Sequence, residues 1–382
     1  MKQLVIKEQS KSLVHAVIGI KTGWRHEPVG KRGISHFLEH AVFLGNSSYP
    51  APDDEVAKYG VQLNGITGPE QTLFYFTSMK EDFNKIFRLF LSLIFHPGFD
   101  ETRLEKEKKE KIITAVSQES DYTSWELAYE WARNLVFNWQ FITNLGTGEE
   151  IALLTKDDLI DWHRRYFHAE NSFIITYGNI QEHEVTKSLK DIDIPSNGER
   201  PVALEVKHEK KEIFIEREGV DNVEMVYGFR LPQYDIGWEI LRVILGNYPI
   251  SRLQKEFGEF TYTVGSTLGW TTTGGGFFLY FGATSIEKAS SVDKHLSQLL
   301  ERMDIDEKEL ELAKKIRILE IVKMKEGGER GLMRFLACNP YLRNFEEMIE
   351  EIREVNKDRV LSLTREFLTS KRAVKVGVGK KS

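Results

Sequence analysis

Two histidines and a glutamate fall within five residues of one another in the segment Gly33-Ile34-Ser35-His36-Phe37-Leu38-Glu39-His40-Ala41. If the segment is helical, His36 and His40 stand one turn apart on one face with Glu39 beside them. Two neutral imidazoles at that spacing can hold one zinc ion, and a neighbouring carboxylate can take a proton from a zinc-bound water. The order H-x-x-E-H is the reverse of the commoner H-E-x-x-H. A zinc-activated water beside a carboxylate base is the chemistry these residue types suit.

The elements that must position this segment can be read from the flanking pattern. Residues 11–22 are rich in β-branched residues and bounded by charge, which predicts a strand. Gly23 and the polar run to Pro28 separate it from the histidine helix. A helix start is expected at Pro50-Ala51-Pro52, where proline precedes acidic residues. Residues 60–67 and 71–77 alternate as two strands around Gly68-Pro69-Glu70 and predict a hairpin. Helical spacing runs from Phe83 to Phe95, a long charged helix is expected from about Glu101 to Glu119, and further helices over 125–136 and 156–166. A strand over 171–179 closes this half. His15 and His26 stand alone in a strand and a loop, where a histidine is more often structural than a ligand.

The second half repeats this grammar. Val226-Tyr227-Gly228-Phe229 matches Val17-Ile18-Gly19-Ile20, and residues 306–315 align without gaps with 100–109. Residues 357–379 likewise mirror 156–178. Self-similarity at half the chain length implies an α+β fold of two homologous domains, each a mainly antiparallel sheet covered by helices. The expected boundaries are 1–192 for the domain with the motif, 193–206 for a turn-rich linker, and 207–382 for a domain without it. Gly274-Gly275-Gly276 reads as a turn between strands, because no Lys-Ser/Thr helix start comes after it to make a phosphate cradle.

Composition narrows the function further. The chain has 382 residues, 41% hydrophobic and 29% charged, with net charge -6. That balance leaves no basic excess for nucleic acid. Cys338 is the only cysteine, so neither an internal disulfide nor a thiolate zinc site is available. No apolar run approaches the ~18 residues that span a membrane, and the first residues lack a signal-peptide pattern. The expected location is cytoplasmic.

With these features assembled, the chain resembles the pitrilysin-type (M16) metallopeptidases, the inverzincins. The resemblance spans most of the chain. It rests on residues 33–40, on Phe43-Leu44-Gly45, and on Asn64-Gly65-Ile66-Thr67 with Glu70 and Thr72. It continues in Phe99-Asp100-Glu101 leading to Glu107-Lys108, in Tyr177-Gly178-Asn179-Ile180, and in Ser251-Arg252-Leu253 with Tyr262-Thr263-Val264. It implies a zinc endopeptidase with His36 and His40 as ligands and Glu39 as general base. It also implies that an extended peptide is gripped by adding to the strand edge around 61–67, near Asn64 and Gly65. Half the residues of the two-halved members are present, which suggests a homodimer, or a heterodimer with a related subunit, enclosing a chamber.

Two positions depart from the family. Its third ligand, a glutamate two turns beyond another glutamate, falls at Thr114 when the helix is anchored on Phe99 and Glu107. Glu107, Glu110 and Glu119 lie on the same expected helix; Glu110, one turn before Thr114, is taken as the substitute ligand. The family's substrate-side arginine and tyrosine correspond to Lys255 and Tyr262, with Arg252 as an alternative to Lys255; lysine supplies the charge without the planar fork. These departures leave a second reading open, a weakly active or non-catalytic subunit that binds peptide or a partner.

Overall fold

The computed structural model describes residues 1–118, 122–139, 145–202, 211–259, 261–284, 286–337 and 342–380. Two compact units divide the chain: residues 1–120 with 143–202, and residues 121–142 with 203–382.

The first unit is built on a five-stranded sheet of β1 (Lys2–Lys7), β2 (Leu13–Ile20), β3 (Leu63–Thr67), β4 (Thr72–Met79) and β5 (Ser172–Gly178), in the order β1-β5-β2-β4-β3. β1 pairs with β5 in parallel and all other neighbours are antiparallel. β2, in the middle, is buried along all but its first residue, as a strand covered on both faces must be. β3 is an edge, hydrogen-bonded within the sheet to β4 alone.

Helix α1 (Ile34–Ala41) carries the histidines. Ile34, Phe37, Leu38 and Ala41 recur at i, i+3, i+4 and i+7 and are buried in the core, which turns His36, Glu39 and His40 to another face. Helix α2 (Phe83–Phe95) lays Phe83, Phe87 and Phe90 against Phe76 of β4, with ring centres 5.0–6.4 Å apart. Full burial of each such side chain contributes roughly 2–3 kcal/mol, so this aromatic layer is a main anchor of the sheet that α1 rests on.

The long helix expected from 101 is interrupted. It runs as α3 (Glu101–Glu107), a π-helical turn (Lys108–Ile112) and α4 (Ile113–Gln118). A π turn inserts an extra residue into the ladder and rotates the later turns of the helix relative to the earlier ones. Thr114, seven residues on from the buried Glu107, therefore leaves its face and is exposed. Glu119 lies outside the described residues.

The second unit repeats the sheet with β6 (Glu212–Glu216), β7 (Val223–Leu231), β8 (Thr263–Thr271), β9 (Gly274–Thr284) and β10 (Val374–Gly379), in the order β6-β10-β7-β9-β8. Pairing directions match strand for strand, including the one parallel pair, β6 with β10. The turn before β9 is made by Thr272 and Thr273, and Gly274, Gly275 and Gly276 already pair within the strand. A Cβ at Gly275 would sit 2.3 Å from the Trp270 ring.

A first domain unbroken through residue 192 is corrected by α5 (Ser124–Phe137). Its buried stripe of Ala128, Ala132 and Val136 packs on β7, β9 and β10 of the second unit, with Phe137 ring-to-ring with Phe278 at 6.1 Å. The expected helix over 156–166 is α6 (Lys156–Tyr166). The second unit continues with α7 (Ile236–Leu245), α8 (Arg252–Phe257), α9 (Glu307–Glu326) and α10 (Gly328–Ala337). Among the described residues no helix is long and apolar enough to cross a membrane.

Candidate metal centre

The turn preceding α1 determines how the helix begins. Its N-cap is Gly33 at φ +85°, which has no side chain to satisfy the first amides. Glu27 supplies the cap from six residues upstream: Gly33 N–H donates to Glu27 Oε2 at 2.8 Å and Ser35 N–H to Oε1 at 2.9 Å. Burial pushes the Glu27 carboxyl up to about 7, against the opposing pull of these two amides and of Arg32. The same segment is tied to the β3–β4 turn, since Arg25 N–H donates to Pro69 O at 2.9 Å and its guanidinium forms a buried ion pair with Glu70. No local capping template reveals Glu27, and sequence reasoning passed it over.

On α1, His36 Nε2 and His40 Nε2 face each other at 3.2 Å, with their rings nearly perpendicular. His40 Nδ1 donates to Glu107 Oε1 at 2.8 Å. That bond puts the His40 proton on Nδ1 and leaves Nε2 with its lone pair toward His36. Burial, with the nearby His40 adding to it, pulls the His36 imidazole down to about 4, so it is neutral at neutral pH. His36 Nδ1 is buried with no hydrogen-bond partner among the described residues. Two lone pairs meeting at this distance repel unless a proton or a cation lies between them. Two nitrogens bound to tetrahedral zinc at about 2.0–2.1 Å stand roughly 3.3 Å apart, so the pair fits zinc as it stands.

Glu39 is buried against the edge strand. Thr67 Oγ1 donates to its Oε2 at 2.7 Å, and a Cβ on Gly65 would come within 2.5 Å of its Oε1. Glycine at 65 is thus what lets the carboxylate lie against β3. Burial pushes the Glu39 carboxyl above the usual range, while Thr67 and His40 pull against it. Asn64, next along β3, is half-buried.

The third ligand position resolves differently from expectation. Glu110 is exposed and lies 4.0 Å from Lys106, a solvent-side pair; the structure does not bring it to the histidines. Glu110 lies three residues on from the buried Glu107, short of a full turn, and the wider π turn carries it further round to the solvent side. Among the described carboxylates of this stretch, Glu107 is the one that reaches the site, through His40. Burial raises its carboxyl, but hydrogen bonds from His40 and from Lys111, at 3.2 Å, outweigh it and hold Glu107 below the usual range. Thr114 is exposed. Among the described residues no three His, Cys, Asp or Glu side chains converge to hold a metal.

His15 and His26 are held by partners of their own. His15 Nδ1 bonds the Thr77 hydroxyl at 2.8 Å and His26 Nδ1 accepts from Gly23 N–H at 3.2 Å, both structural roles. In the second unit, Lys255 is exposed on α8 and Tyr262 is 88% exposed just before β8. Arg252, the alternative to Lys255, is already held by Glu309 at 2.6 Å.

Two family models match the chain. Residues 3–130 match the family model described as insulinase, peptidase family M16, and residues 153–317 match the peptidase M16 inactive domain. The chain is 26% identical over 401 residues to an uncharacterized zinc protease, YmxG, of Bacillus subtilis (strain 168), covering 96% of this chain and 93% of that one. It is 27% identical over 310 residues to an uncharacterized zinc protease of Rickettsia bellii (strain RML369-C), covering 77% and 74%. The crystal structure of a protease from Helicobacter pylori superposes with a TM-score of 0.82 at 18% identity, over 98% of this chain and 96% of that one.

Proposed function

The chain belongs to peptidase family M16, and from that premise we propose that it is a zinc-dependent endopeptidase cutting extended or unstructured polypeptides. The observation that carries this reading is the pair of Nε2 atoms at 3.2 Å with a buried carboxylate, Glu39, one turn away on the same face. His36 and His40 would hold the metal, with His40 oriented by Glu107. Bound zinc supplies a Lewis acid and a water acidic enough to ionise near neutral pH. Glu39 takes the proton of the attacking water and returns it to the leaving amine, a role helped by the burial that raises its proton affinity. The free edge of β3, with Asn64 and Gly65, is where an extended substrate backbone would add. Tyr262 and Lys255 would take the substrate-steadying roles that the family resemblance implies. A cytoplasmic site of action and a dimer, with itself or a related subunit, belong to the same proposal.

A second reading is favoured by one observation: the described residues offer two imidazoles and no third ligand. It makes the chain a binding subunit of weak or no activity. Zinc content after saturation and dialysis, measured together with cleavage of a quenched fluorescent peptide, separates the two. The peptidase reading expects about one zinc per chain and cleavage that a chelator abolishes. Less than a tenth of an equivalent with no cleavage leaves the binding subunit.

A further inference from the structure

Helix α9 buries one face and leaves an apolar row along another. Leu310, Ala313, Lys314, Arg317 and Ile321 recur at helical spacing as its buried stripe, and the helix packs on α7, α10 and the helix Phe345–Glu354. On a different face Leu312, Leu319 and Val322 are 43%, 52% and 39% exposed. Lys315 and Glu326, both exposed, complete their row. The five positions follow one another at alternating steps of three and four residues, which is the period of a coiled-coil seam. A single exposed leucine calls for no explanation. A row at this period does. Ile250 and the half-buried Ile316 border one groove with Leu312, so the apolar band widens at that end. Glu311 and Lys323, exposed on either side of the row, give it a polar rim.

The two charges within the row select what can cover it. Antiparallel pairing of two such helices about a two-fold axis between Glu320 and Ile321 sets Leu319 against the partner's Val322. The same axis sets Lys315 against the partner's Glu326, and each contact occurs twice because a two-fold interface is isologous. Parallel pairing in register would instead oppose Lys315 to the partner's Lys315 and Glu326 to the partner's Glu326, a juxtaposition of like charges that disfavours it. The row is complementary to itself in one orientation, apolar to apolar and cation to anion. A second copy of this chain is the occupant that fits it.

We infer that α9 is the seam of a two-fold dimer of this chain, paired antiparallel with the same helix of its partner. This gives a surface to the self-association proposed above, and it needs neither metal nor cleavage at the histidine pair. Sedimentation of the intact chain over about 1–200 µM measures it. The parent should run at twice the chain mass at the upper end of that range. Leu319→Glu places a charge in the row at an exposed position and should raise the dissociation constant roughly ten-fold or more. Lys315→Glu and Glu326→Lys should each weaken association by about ten-fold, and the double reversal should return it to within about three-fold of the parent. Unchanged circular dichroism spectra confirm that the variants are folded. A parent that stays monomeric throughout overturns the proposal together with self-association itself. A parent dimer that Leu319→Glu leaves intact overturns the α9 seam alone. A double reversal that does not restore association overturns the antiparallel pairing.

Discussion

His40 Nδ1 lies 2.8 Å from Glu107 Oε1, and through that bond Glu107 decides which face of the imidazole is free to bind. Glu107 is a carboxylate held ionised by His40 and Lys111 on a helix that is distorted immediately beyond it. Oriented ligands of this kind typically lose 10–100-fold in metal affinity when the orienting group is removed. Glu107→Ala should therefore weaken zinc binding by about that range in a chelator competition. Unchanged affinity would mean that Glu107 serves only to pin α3 to α1.

Glu39 touches the reacting water in the proposed mechanism and no metal. Glu39→Gln keeps the shape and an acceptor for Thr67, so zinc content should match the parent. Cleavage of a quenched peptide should fall by roughly 10²–10⁴-fold, the range of general-base catalysis. Full zinc occupancy with full cleavage would show that another group moves the proton.

Much of this site was legible in the sequence, and the limits have physical causes. Apolar residues at 34, 37, 38 and 41 write a helical period that leaves His36, Glu39 and His40 a face of their own, and that period is local information. The duplicated sheet was legible for the same reason, since each half writes its own strands and turns. The π turn at 108–112 left no trace in the run Lys108-Lys109-Glu110-Lys111, whose charges suit any exposed helix. Glu110 looked like a ligand only while the helix was assumed regular. The assignment of α5 to the second unit was equally hidden: its small-residue stripe says that one face is buried but not against which sheet. Glu27 acts at a distance of six and eight residues through backbone amides, which no side-chain pattern records.

Gly65 is the point where β3 and the carboxylate of Glu39 come closest. Adding one methyl in Gly65→Ala places it 2.5–2.8 Å from three atoms of the Glu39 side chain, which Thr67 holds in place. Glu39 must swing aside or the edge strand must move out, at a cost of about 1–3 kcal/mol. Cleavage should fall far more than the urea midpoint does, because the displaced group is the proposed base. A Thr67→Val variant, which only releases Glu39, should show a smaller loss of cleavage with little loss of stability. Equal activity in Gly65→Ala and the parent would remove β3 from the site.

His163 sets a pH dependence. Its Nε2–H donates to Ile94 O at 2.8 Å inside the core, and burial pulls its imidazole from 6.5 to about 4. The unfolded chain takes up a proton first as pH falls, so the stability is whole above about 6.5 and is lost progressively down to about 4. One such group accounts for up to roughly 3 kcal/mol. His15 and His26 are depressed in the same sense, whereas Glu27, raised to about 7, acts in the opposite one between 4.5 and 7. Urea midpoints measured between pH 7.5 and 4 should fall with acidity, and His163→Asn should be less stable at pH 7.5 but show a shallower slope. An unaltered slope in that variant would show that His163 is already protonated or already solvated in the native state.

Glu27 and α1 give the last test, since they link a cap to the chemistry that begins in the helix's first turn. Glu27→Ala strips the acceptors from the amides of Gly33 and Ser35, in a place where buried donors find little water. Loss of a helix cap costs about 1–2 kcal/mol, and here the first turn that frays contains Ser35 and His36. His36 Nε2 would then no longer be held at a fixed distance from His40 Nε2, so zinc affinity should drop along with the urea midpoint. Glu27→Gln retains one acceptor and should recover part of both losses. If stability falls in Glu27→Ala while zinc affinity is untouched, α1 is held in place by its apolar stripe of Ile34, Phe37, Leu38 and Ala41, and the cap contributes to folding alone.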